Sequence, residues 1–178
     1  TVYAESFKTP DWLVGGVMYQ IFHDRFFFSG KTKKNIRPDR IIRESWGEQP
    51  YWAPNKEGKV TNSDYFGGDL EGIKDKLPYL KSLGVSCLYL NPIFEAHSNH
   101  RYNTADYSKI DPLLGDEDSL KTLCQEANKL GIKIILDGVF SHTGDDSIYF
   151  NSQHRYEKNG AYNSTNSPYY KWYNFQSW

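Results

Sequence analysis

Three apolar runs along the chain, each followed by a long polar loop, predict an α/β fold with a parallel sheet. The runs are Val17–Phe22, Val85–Leu90 and Ile132–Asp137, and helix-patterned segments stand before the second and the third. The elaborate loops all follow strands, whereas Gly84-Val85 and Gly131-Ile132 make the helix-to-strand turns very short. That asymmetry is the pattern of a (β/α)8 TIM barrel. A doubly wound sheet also fits the alternation, but no Gly-x-Gly-x-x-Gly follows any strand. A whole barrel has eight strands and about 250 residues. The 178 residues here, with three strands, correspond to the first part of one.

The elements follow in order. Val17–Phe22 (VMYQIF) is a strand candidate that ends on the charged run His23-Asp24-Arg25. Ser29 to Asp64 reads as one long irregular loop, with Trp46 and Trp52 interleaved among Gly and Pro. Its first part is basic, through Lys31, Lys33, Lys34, Arg37, Arg40 and Arg43, and the expectation is a solvated loop face. Tyr65-Phe66-Gly67-Gly68-Asp69 is a turn, and Asp69 is placed to cap the next helix. That helix, Leu70–Leu83, repeats Leu70, Ile73, Leu77, Leu80 and Leu83 at helical spacing, with Pro78 expected to kink or divide it. Asn91 to Gly115 reads as a second long loop. Asp116–Leu130 reads as a helix with Leu120, Leu123, Cys124, Ala127 and Leu130 on one face.

Composition narrows the function classes. A formal net charge of −1 gives no global attraction to nucleic acid or to a membrane surface. No apolar run is long enough to span a membrane. Aromatics make up 16% of the chain and many lie in loop-like stretches, where flat faces suit sugars as well as core filling. Cys87 and Cys124 both read as buried free thiols, so the expected compartment is reducing and cytoplasmic, with secretion the alternative.

The chemistry concentrates on Ile132–Gly144 (IKIILDGVFSHTG). A buried strand emerges at Asp137, and His142 follows on the loop. Ligands of parallel α/β proteins bind beyond the carboxyl ends of strands. The alternative is a turn-capping carboxylate and an ordinary loop histidine.

These stretches together resemble the α-amylase family of glycoside hydrolases, especially its neopullulanase, cyclomaltodextrinase and amylopullulanase-like members. YQIFHDRF (Tyr19–Phe26) resembles the family's first barrel strand, with His23 where Pro is usual. YFGGDLEGIKDKLPYLKSLGV (Tyr65–Val85) resembles its first helix, and LYLNPIFEAHSNHRYNTADYSKIDPLLG (Leu88–Gly115) its second strand and the loop beyond. LDGVFSHTG (Leu136–Gly144) is similar to the first of its four conserved regions, with Ser141 where Asn is usual. The resemblance implies residues 1–11 as a linker from an upstream domain, 12–137 as the first three β/α units, and 138–178 as the start of a domain inserted after the third strand.

It implies a retaining glycosidase acting on α-glucans such as starch, maltooligosaccharides, pullulan or cyclodextrins. The family's nucleophile and acid/base lie on later strands, so no catalytic carboxylate is expected here: both are expected beyond Trp178, and the isolated piece is expected to be inactive. The alternative is a non-catalytic glucan-binding relative; a phosphate-binding barrel is disfavoured because no glycine-rich phosphate loop follows a strand. Carried over, Tyr102 stacks on the sugar ring at the cleavage point and His142 hydrogen-bonds that sugar's hydroxymethyl group. Asn99 and His100 line the same place, and Asp137 holds an Arg that orients the nucleophile. Asp106 and Asp111 are expected to order the loop. The family's calcium site would draw on Gly67 and Asp69, but the loop SGKTKKNIRPDR is basic where further ligands belong, so no calcium is expected. The group often dimerises, which implies a homodimeric parent.

Overall fold

A computed structural model describes residues 4–34 and 36–177, so residues 1–3 of the expected linker lie outside the described residues. The strands are β1 (Val17–Ile21), β2 (Ile41–Ile42), β3 (Asp64–Tyr65), β4 (Val85–Leu90), β5 (Phe94–Ala96), β6 (Thr104–Ile110) and β7 (Lys133–Leu136). The helices are α1 (Leu70–Ser82) and α2 (Glu117–Lys129), with single 3-10 turns at His23–Arg25 and Tyr170–Trp172.

β1, β4 and β7 form one parallel sheet in that order. Ile21, Leu90 and Leu136 stand in register at its carboxyl edge. The ladder runs one residue further, with Asn91 N–H donating to the Ile21 carbonyl at 3.1 Å and Asp137 N–H to the Leu90 carbonyl at 2.9 Å. Phe22, Asn91 and Asp137 therefore emerge side by side, with His23 opening the 3-10 turn that follows.

The two helices cover one side of this sheet. Leu70, Ile73, Leu77 and Leu80 of α1 pack with Leu88 and Leu90 of β4 and with Leu123 and Ala127 of α2 in one buried cluster. Asp69 caps α1 by accepting from Gly72 N–H at 2.6 Å, and Asp116 caps α2 by accepting from Ser119 N–H at 2.8 Å. Gly84 and Gly131 stop the helices with φ of 80° and 69°, a left-handed conformation that glycine adopts without steric cost. On the outer strands Val17, Met18, Tyr19 and Leu136 remain exposed. Apolar residues on the edges of a parallel sheet are what neighbouring barrel strands would cover.

Several sequence expectations need correction. Pro78 does not divide α1; it sits on the exposed side, where water can satisfy the carbonyl that its missing N–H leaves unbonded. Cys124 is exposed while Cys87 is buried. One residue past Leu123 turns the chain about 100° around the helix, off the apolar stripe. Leu83 is exposed too, because the helix has ended.

The two long loops are also more ordered than the sequence suggests. Asn91–Gly115 contains the antiparallel pair β5–β6, and the basic loop contributes β2, which pairs with β3. Lys31 and Lys34 are exposed as expected, whereas Lys33, Arg37 and Arg43 are half-buried and Arg40 is buried. Arg37 meets Glu95 at 2.6 Å, Arg40 meets Asp111 at 2.7 Å, Lys31 meets Glu71 at 3.2 Å, and Lys33 bonds Asp69. A loop with little regular structure is held here by charge pairs to the elements beneath it.

Candidate active site

The site sits where the β5–β6 hairpin leans over the carboxyl edge of the sheet. The Tyr102 hydroxyl donates to Asp137 Oδ2 at 2.9 Å, linking the hairpin tip to the end of β7. Burial, with help from that carboxylate, pushes the Tyr102 phenol up to about 12, so it stays a neutral donor. His142 donates Nε2–H to the Tyr102 carbonyl at 2.9 Å, because a carbonyl can only accept. Its Nδ1 then accepts from Ser141 Oγ at 3.2 Å. The Tyr107 hydroxyl lies 2.7 Å from the His142 carbonyl and also bonds the Val139 carbonyl, fixing the loop after β7.

His100 Nδ1 accepts from Tyr102 N–H at 3.1 Å, which leaves Nε2 as its protonated nitrogen. Burial, and then the neighbouring Arg101 charge, holds this imidazole below the usual histidine range. Its ring lies 6.0 Å from the Tyr102 ring. Asn99 is buried and spends its amide donor on Asp64, reaching the carbonyl at 3.0 Å and Oδ1 at 3.2 Å. Tyr102, His100, His142 and Asp137 are thus brought together directly, and Asn99 joins them from the wall.

Beneath the hairpin lies a charge cluster. Asp111 is fully buried between Arg40, at 2.7 and 2.9 Å, and Arg101 Nε, at 3.1 Å. Burial works against the Asp111 carboxylate, but the charges of Arg101 and Arg40 outweigh it and hold the group below its ordinary range. Arg101 also donates to the Asn99 carbonyl at 2.8 Å. Its φ of 62° is a left-handed backbone, uncommon for a residue with a side chain and held here by these bonds. Arg40 therefore fixes, through Asp111 and Arg101, the loop that carries Asn99, His100 and Tyr102.

Asp64, Tyr107, Arg40 and Arg101 are functional supports that sequence reasoning did not single out as such. Asp64 gathers Arg25, Arg43, Asn99 and the Tyr51 N–H.

Asp24 and Asp69 are both engaged. Asp24 accepts from Phe66 N–H and Gly67 N–H, at 3.0 and 3.1 Å, and burial raises its carboxyl above the usual range. A Cβ at Gly68 would run into the His23 carbonyl, so the Gly-Gly turn packs directly on the end of β1. Asp69 Oδ1 is taken by the helix cap, and Oδ2 by Ser29 Oγ at 2.7 Å and by Lys33 Nζ. That donor set does not fit calcium, which needs six or more oxygen ligands. Among the described residues no cluster of three or more His, Cys, Asp or Glu is placed to hold a metal.

Beside His142 lies a cavity of about 660 Å³ lined by Tyr107, Phe140, Trp172 and Tyr173. Trp172 stacks on Tyr149 with ring centroids 5.3 Å apart, which gives this wall a fixed aromatic framework.

A parallel β/α sheet with plain helix-to-strand turns, elaborate loops after its strands, and Tyr, His and a carboxylate converging at its carboxyl edge is the architecture of part of a TIM barrel. The chain belongs to the α-amylase family: the model described as alpha amylase, catalytic domain, matches residues 20–177. It is 48% identical over 97% of its length to amylopullulanase of Thermoanaerobacter thermohydrosulfuricus, covering 13% of that protein. It is 39% identical over 98% of its length to cyclomaltodextrinase of Thermoanaerobacter pseudethanolicus, covering 26% of it. The solved type III pullulan hydrolase from Thermococcus kodakarensis superposes with a TM-score of 0.75 at 33% identity, over 98% of this chain and 30% of that one. The chain spans 10% to 15% of the length of the amylopullulanases it matches.

Proposed function

We propose that the protein carrying this chain cleaves α-glucans with retention of configuration, and that this chain builds the sugar-holding side of the cleavage point. The observation that carries the reading is the bonded set Asp137–Tyr102–His142 at the carboxyl edge of the sheet. Tyr102 offers a ring to the apolar face of a pyranose while Asp137 fixes its hydroxyl. His142 meets the sugar's hydroxymethyl group by sharing or exchanging its bond to the Tyr102 carbonyl. His100 supplies an Nε2–H donor, Asn99 closes the wall, and Asp137, which also bonds the Tyr89 hydroxyl, faces the Arg that orients the nucleophile.

Retaining cleavage needs two carboxyl groups about 5–5.5 Å apart. Asp24 and Asp137, the carboxylates at the strand ends, are bonded within the fold, and the family resemblance implies a nucleophile and acid on later strands, expected beyond Trp178. Calcium at Gly67 and Asp69 is not part of the proposal, since Lys33 supplies the positive charge there. Maltooligosaccharides, pullulan and cyclodextrins are the substrate class.

The test is proton NMR of maltopentaose incubated with the full-length protein. First-formed product in the α-anomeric form is expected. First-formed β-anomer refutes retention, and binding without turnover favours a non-catalytic glucan-binding protein.

A further inference from the structure

A second cavity, of about 560 Å³, opens on the other side of Asn99. Its size falls in the range of about 300–1,000 Å³ found for ligand sites. The loop between β1 and β3 builds its wall, and three aromatic rings stand open in it: Trp46 at 46% exposure, Tyr51 at 48% and Trp52 at 77%. None of the three fills the core, so their burial does not explain them.

The wall is held firmly. Trp46 packs edge-to-face on Phe66 with centroids 6.0 Å apart, and the Arg25 guanidinium covers Phe66 at 4.1 Å. Tyr51 N–H donates to Asp64 Oδ2 at 3.0 Å, and Glu48 accepts from Ser45 N–H at 2.7 Å. Trp46, fixed on Phe66 before a ligand arrives, costs little to order on binding.

The polar groups in the same cavity are Glu48, Asn62, Asp64 and Asn99, with Arg25 paired to Asp24 and Asp64. Asp64 and Asn99 are buried and engaged in their own bonds, so the half-buried Glu48 carboxylate and Asn62 amide border the flat apolar faces, which match a pyranose with its apolar ring faces and hydroxyl rim. They do not match a phosphorylated ligand, because the cations are already neutralised. Asn99 is a shared wall: it lines this cavity and adjoins His100.

We propose that this cavity is a second sugar subsite, in which Trp52 and Trp46 carry glucose units of an α-glucan chain that extends past Asn99 from the cleavage point. The inference rests on the proposed function for its substrate class. It makes the β1-to-β3 loop a determinant of chain-length preference.

The test uses the full-length protein with Trp52→Ala and Trp52→Phe, assayed by steady-state hydrolysis of maltotriose and maltoheptaose. At such exposure Trp52→Ala leaves the fold intact, checked by thermal melting. Trp52→Ala is expected to lower kcat/KM for maltoheptaose about threefold to thirtyfold, chiefly through KM. Maltotriose turnover should stay within about twofold, since it does not reach the platform. Trp52→Phe should keep most of the maltoheptaose preference. Equal losses on both substrates, or no loss on either, overturn the subsite. If the wild type turns over neither substrate, the proposed activity fails, and calorimetric titration with maltoheptaose reads the subsite alone. Weaker binding by Trp52→Ala then supports it, and unchanged or absent binding overturns it.

Discussion

Replacing Asp111 by Asn should unfold the support beneath the site. Asp111 is fully buried and faces Arg40, whose side chain is 2% exposed, and Arg101, at 1%. Asn keeps the volume but brings no charge, and its one carbonyl oxygen cannot serve both guanidiniums and the Leu113 N–H that now sits 2.9 Å from the carboxylate. Two buried cations are left without their anion. Breaking a buried pair in this way costs about 3–5 kcal/mol, a large part of a domain's total stability of about 5–15 kcal/mol. Urea unfolding of the full-length protein, followed by tryptophan fluorescence, measures the loss. The pH dependence adds a second check. A carboxyl held below its ordinary range contributes stability above the unfolded pKa, near 3.9, and loses it as pH falls through the still lower folded value. The gap between wild type and variant should therefore be full at neutral pH and close below about pH 4. A neutral-pH loss under about 1 kcal/mol would refute the assignment of Asp111 as the anchor.

Further outcomes follow from other buried groups. His23 and His97 are held neutral, with burial the main cause in each and pKa lowered to about 3 and about 4. A base with a depressed pKa stabilises the fold above its unfolded value and loses that contribution as pH falls, so between about pH 6.5 and 4 each should lower stability by up to roughly 1.4 kcal/mol per unit. Burial raises the Asp24 and Asp146 carboxyls, which works in the opposite direction near the acid end. Melting curves of wild type and His23→Gln across this window should show a shallower slope in the variant; identical slopes would refute the contribution of His23. Lys33→Ala should lower the melting temperature, because Asp69 loses its buried cation, and added calcium should not restore it. Micromolar calcium binding to the wild type by calorimetry, lost in Asp69→Ala, would contradict that.

The regular elements were legible because their signals are local. The apolar runs ending at Phe22, Leu90 and Asp137 became the sheet strands to within two residues, and the caps Asp69 and Asp116 follow directly from residue type. The β5–β6 hairpin was not legible: β5 is three residues long, its register slips, and β6 carries polar residues on both faces. The fate of the basic loop was hidden for another reason. Whether Arg37 or Arg40 is solvated depends on Glu95 and Asp111, more than fifty residues away, and no local pattern encodes that pairing. At the site, residue identity named Tyr102, His142 and Asp137, but not that Tyr102 bonds both of the others. Such bonds depend on the hairpin tip reaching across to β7, a tertiary fact.

The most direct test of the proposed sugar site is steady-state hydrolysis of a maltooligosaccharide by the full-length protein and its Tyr102→Ala and His142→Ala variants. Contacts that strengthen in the transition state lower kcat as well as kcat/KM. Each variant, folded by thermal melting, should lose about tenfold to a thousandfold in kcat/KM, or roughly 1.4–4 kcal/mol of transition-state stabilisation. Wild-type kinetics in both folded variants would contradict the placement of the sugar between Tyr102 and His142.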